Sequence, residues 1–61
     1  MEMTTKDCVK KAILDTQEMV RDFNMYANEV EGDDLKKCFK EFAKEQGLQA
    51  RRLQDELELL S

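Results

Sequence analysis

The chain has 61 residues, with 10 Lys+Arg against 14 Asp+Glu, 41% hydrophobic residues, 39% charged residues, and no His, Pro or Trp. That length holds one small domain, residues 1–61, and a chain so short buries only about 60% of the surface its unfolded form exposes; oligomerisation, a metal or disulfides normally complete its stability. A formal charge of −4 argues against nucleic acid, whose affinity rests on cations neutralising phosphates; apolar runs as short as Ala12-Ile13-Leu14 argue against a membrane span of ~20 apolar residues; and the lack of His removes the usual general base and the commonest metal ligand.

Met1 to Lys11 carries neither the basic start nor the apolar stretch of a secretory signal, so the expectation is a soluble, cytoplasmic protein. From Thr5 onward, Val9, Ala12/Ile13, Met19/Val20, Phe23, Tyr26/Ala27 and Val30 recur at spacings of three and four, the mark of one helical face, with Thr16 as its polar interruption. Thr4 or Thr5 serves as N-cap, and Asp7 lies three residues beyond Thr4, where an acid favours the positive helix end. This predicts a first helix over about residues 5–31. Gly32 supplies the freedom for a helix end, Asp33 or Asp34 caps the next helix, and the turn is placed at 32–33.

A second helix is predicted over about 34–60, with a stripe of Leu35, Cys38/Phe39, Phe42/Ala43, Gln46, Gln49/Ala50, Leu53, Leu57 and Leu60. Gly47 sits inside it at a cost of about 1 kcal/mol relative to Ala, and the helix is read as continuous through it, an irregularity being conceivable only there. So short a turn makes the helices antiparallel, with residue i across from residue 65 − i. In that register Lys36 and Lys37 fall near Glu29 and Asn28, Lys10 and Lys11 near Asp55 and Gln54, and Lys6 near Glu58. The basic stripe Lys36, Lys37, Lys40 and Lys44 reads as a solvated or ion-paired helix face. Cys8 and Cys38 lie toward opposite ends of the hairpin, too far apart for a disulfide, whose Cα atoms approach within about 7 Å. Leu14, Met25, Leu48 and Leu59 add apolar surface beside the main seam. The expected fold is therefore all-α, an antiparallel two-helix hairpin whose surplus surface is buried by a second copy in a four-helix bundle, as a C2 dimer or higher oligomer, or by a helical protein partner.

The stretch Phe39-Lys40-Glu41-Phe42-Ala43-Lys44-Glu45-Gln46-Gly47-Leu48-Gln49-Ala50-Arg51-Arg52-Leu53 resembles the second helix of a ferritin-like or rubrerythrin-type hairpin, in which Glu-x-x-His-Ala follows a Phe-Ala start. Tyr26-Ala27, Asp33-Asp34 and Leu35 are similar to the preceding helix end and its connection. The resemblance implies a bundle that holds two metal ions, half of it supplied by each hairpin. It puts Gln46 and Gln49 at the positions of the metal-binding Glu and His, with Glu18 and Asp15 as the nearest acids of the first helix. Neutral amides neither balance metal charge nor replace imidazole, so the expectation is a bundle without its diiron chemistry: no metal site, no cofactor and no catalytic residue. Gln46 and Gln49 would instead form a polar layer, bonded to Thr16, to each other across a dimer axis, or to water.

The favoured function is a small non-enzymatic bundle module acting by self-association or protein binding. The alternatives are a metal-binding, rubrerythrin-like oxidoreductase using acids alone, and a small regulatory hairpin acting on a signalling protein. For the latter, Gln54-Asp55-Glu56-Leu57 is similar to the acidic motif of the aspartyl-phosphate phosphatases of sporulation control.

Overall fold

A computed structural model describes residues 2–60 of the chain. Within it α1 spans Thr5–Glu29 and α2 spans Asp33–Leu59, packed side by side as an antiparallel hairpin. The layer is one helix thick, with extents of 43 × 24 × 11 Å.

Helix α1 starts where the sequence places it. The Thr4 hydroxyl accepts from the Asp7 amide at 3.1 Å and the Asp7 carboxylate accepts from the Thr4 amide at 3.2 Å, a reciprocal box that satisfies two donors the helix itself cannot. The end of α1 comes two residues before the predicted boundary. Val30 turns to an extended backbone and its N–H donates to the Tyr26 carbonyl at 2.9 Å, so residues 30–32 form the connection.

Gly32, expected to close the first helix, instead precedes the second as its N-cap, at φ 97°. That left-handed conformation is one a Cβ disfavours. Asp33 and Asp34 make no side-chain cap; they lie inside the first turn of α2, where their charges meet the positive end of the helix dipole. Gly47 causes no irregularity, and α2 runs through it unbroken. A Cβ built there would stand 4.0 Å from Val20 Cγ2, ordinary contact distance.

The seam between the helices is lined by small residues. Ile13, Ala27, Ala43 and Ala50 are the buried residues, and no large side chain among the described residues is fully enclosed. Alanines at Ala27, Ala43 and Ala50 let the backbones approach and push the bulkier neighbours to the sides of the seam. Near the turn the predicted register holds to within a helical turn, since Phe23 meets Phe42 and Tyr26 meets Phe39, pairs that sum to 65, and Phe23 also meets Phe39, a sum of 62. Farther from the turn it shifts, and Val20 comes nearest Gly47, a sum of 67. The groove shared by Lys10, Ile13, Gln54 and Leu57 continues that sum, which brings Gln49 closer in level to Glu18 than to Thr16.

Candidate functional site: an aromatic face

The two helices present unlike faces because their sequences repeat unlike residues at helical period. At about 100° per residue, positions seven apart lie close on one side: Ala12, Met19 and Tyr26 on α1, and Leu35, Phe42 and Gln49, then Leu53 and Leu60, on α2. In an antiparallel hairpin these two rows flank the seam on the same side of the layer. Phe23 and Phe39 lie between them, and the four rings make one cluster. Phe23 and Phe39 stack at 6.0 Å between centroids; Phe23 meets Phe42 edge to face at 5.6 Å and Tyr26 meets Phe39 likewise at 5.7 Å. Such contacts contribute roughly 0.5–1.5 kcal/mol each beyond area burial.

This cluster holds every aromatic residue of the chain and is still half wet. Tyr26 and Phe42 each keep 39% of their surface exposed, and beside them Leu35 keeps 52%; at the far end of the same row Leu60 keeps 44%. A contiguous apolar patch on a small monomer is a recognised mark of an interaction site. The surplus apolar residues Leu14, Met25, Leu48 and Leu59 are also exposed, but they lie away from the aromatic face. Leu14 joins Lys10, Ile13, Gln54 and Leu57 around an open groove on the opposite side, and Leu48 joins Gln49, Arg52 and Leu53 on the outer side of α2.

Charge divides along the same line. Lys36, Lys40, Lys44 and Arg51 of α2, with Lys10 and Arg21 of α1, fall by helical period on the side away from the rings, where they outnumber the acids Asp33, Asp55 and Glu58. The outer edges of the aromatic face carry Asp15, Glu18 and Asp22 on α1, and Glu45 and Glu56 on α2. The two cations on those edges, Lys11 and Arg52, are the two that form ion pairs among the described residues, Lys11 with Asp15 and Arg52 with Glu56 at 3.6 Å. Both pairs are i, i+4 within one helix. The pairs expected across the hairpin, Lys36 with Glu29 and Lys10 with Asp55, do not form among the described residues. The physical reason is reach: on one helix, residues four apart already stand about 5–6 Å apart between Cβ atoms, whereas charges across the seam are separated by the bulk beside it.

The residues that the ferritin-like resemblance sets at metal-ligand positions are not gathered into a site within one chain. Gln46 is half-buried and Gln49 exposed; Asp15 is exposed and paired with Lys11, and Glu18 is exposed. Thr16, one of the three partners open to Gln46 and Gln49, donates from Oγ1 to the Ile13 carbonyl at 2.8 Å on its own helix. Among the described residues no three His, Cys, Asp or Glu side chains converge as a metal would require. The donor types fit a diiron centre poorly, with two amides and no imidazole in the chain. Cys8 is exposed and Cys38 half-buried, both as free thiols. No buried side-chain polar atom among the described residues lacks a hydrogen-bond partner. Among the described residues no helix is long and apolar enough to cross a membrane. No protein-family model, curated protein or solved structure matches the chain.

The aromatic face is only partly legible in the sequence. Each stripe is evident from its spacing, but that the rings collect on one flank, with the acids at its rim and most cations behind, needs both helices placed against each other.

Proposed function

We propose that this chain is a non-enzymatic, self-associating helical hairpin, two copies of which close their aromatic faces on one another as a four-helix bundle. The observation that carries this reading is the four-ring cluster left half exposed on a layer only 11 Å thick. The half-exposed rings, with Leu35 and Leu60 on the same row, offer a second copy apolar surface to bury, as a stable interface requires. The opposite side suits self-association less, because lysines and arginines of two copies would confront each other there. A bundle would also supply what the single layer lacks, an interior with large side chains fully enclosed.

The resemblance of Phe39–Leu53 to a ferritin-like helix adds a reading of Gln46 and Gln49 as former metal-ligand positions in a bundle that no longer holds metal. The two free thiols fit a reducing compartment, which supports a cytoplasmic location.

Sedimentation equilibrium tests the proposal. The wild-type chain is expected to sediment as a dimer or larger at micromolar concentration, whereas Phe42→Lys, which sets a charge in the middle of the face, is expected to sediment as a monomer. A wild-type chain that stays folded and monomeric on concentration would overturn it and leave the face to a helical protein partner.

A further inference from the structure

Two hairpins can close face to face in two ways: with their turns at opposite ends, so that α1 lies on the partner's α1, or with their turns at the same end, so that α1 lies on the partner's α2. Resting on the self-association above, we infer that the second copy docks with its turn at the same end, about a two-fold axis running along the helices.

The edges of the aromatic face decide this. An axis along the helices leaves every residue at its own level, so the register that relates α1 to α2 within one hairpin also relates α1 to the partner's α2. Away from the turn that register is the one seen at Val20 and Gly47, with numbers summing to 67. Applied to the edge residues, it sets Lys11 level with Glu56 of the partner subunit, Asp15 with the partner's Arg52, and Glu18 with the partner's Gln49.

The polarity of the intrahelical pairs is what makes the match. Going from the open end toward the turn, α1 presents a cation and then an acid, Lys11 and Asp15, while α2 presents an acid and then a cation, Glu56 and Arg52. Stacked level for level, the two pairs close into a square of alternating charge, and the symmetry repeats it on the other edge. Gln49, exposed in the single hairpin, then has an amide N–H to donate to the partner's Glu18. Asp22 and the partner's Glu45 meet as like charges, so the edge contributes little net affinity; its effect is to select an orientation. With the turns at opposite ends, the edge Lys11, Asp15, Glu18 and Asp22 would lie on a second copy of itself, three acids and one cation against the same set.

Orientation can be read from one distance. A chain carrying Glu31→Cys in the turn, with Cys8→Ser and Cys38→Ala, is spin-labelled and measured by double electron-electron resonance. With facing helices about 10 Å apart, turns at the same end give a label separation of roughly 20–25 Å. Turns at opposite ends give a separation near the 43 Å length of the hairpin. A dimer with the long distance overturns the orientation and leaves self-association standing; a monomer overturns both.

Should those replacements unsettle the fold, a double-mutant cycle with Lys11→Met and Glu56→Gln keeps the question open to refutation. The two side chains occupy opposite outer edges of one hairpin, so coupling in dimer affinity can arise only through the partner. The single changes are each expected to weaken the dimer, and the double variant to fall short of the product of their effects by about two- to fivefold. Multiplicative effects would overturn the inference.

Discussion

Individual residues in this hairpin act mostly through backbone geometry, and two of them can be tested in isolation. Thr4 and Asp7 exchange hydrogen bonds at the start of α1, so Thr4→Ala leaves a helix donor without its partner. A loss of about 1 kcal/mol is expected, measured by urea denaturation at fixed protein concentration. Gly47 is the opposite case. The helix is regular through it and a Cβ there meets Val20 Cγ2 at ordinary distance. Gly47→Ala should therefore stabilise the protein by about 0.5–1 kcal/mol through helix propensity alone. A destabilised Gly47→Ala variant would mean that the helices approach more closely at this point than Val20 indicates.

At the scale of the elements, the connection decides how the two helices meet. α1 stops when Val30 leaves helical geometry, and Gly32 reverses the chain at φ 97° before Asp33 begins α2. Nothing lies within 4 Å of a Cβ built on Gly32, so the cost of a side chain there is conformational and not steric crowding by neighbours. Gly32→Ala is expected to lower stability by about 1–2 kcal/mol with helix content retained, as read by thermal melting and circular dichroism. The helices themselves are long, amphipathic and free of Pro, which is why their existence and approximate spans could be read directly. The two-residue error at the end of α1 came from taking Gly32 as a helix-closing residue. A positive-φ glycine serves equally well just before a helix, and local sequence does not tell the two uses apart.

The whole molecule is a layer whose larger apolar side chains all retain contact with water among the described residues. If two layers close on their aromatic faces, folding and association are linked by mass action and the thermal midpoint must rise with protein concentration. A tenfold dilution is expected to lower the wild-type midpoint by several degrees, in line with the steep response of small domains to ~1 kcal/mol changes. A midpoint independent of concentration over the micromolar range would contradict self-association coupled to folding. Phe42→Ala carries the same logic to one side chain. In a closed bundle it should cost about 3–5 kcal/mol, whereas a loss near 1 kcal/mol would show that the exposed part of the ring stays in water.

Two helices, their antiparallel packing and the residues lining the seam near the turn are all readable from the chain's pattern. Those properties follow from local periodicity, capping and a connection too short to allow any other path. Composition also fits the diiron centre of the resemblance poorly, with no His in the chain and amides at Gln46 and Gln49, the positions the resemblance would give to ligands. Packing of the two helices set the contacts, which sum to 62 and 65 among the rings and to 67 at Val20 and Gly47, and so brought Gln49 nearer the level of Glu18. Tertiary structure decided as well that Lys11 and Arg52 pair along their own helices and that four rings collect on one flank. Levels across a helix pair depend on how side chains of both helices settle into each other's grooves around Ala27, Ala43 and Ala50. That information belongs to the contact and to neither helix alone.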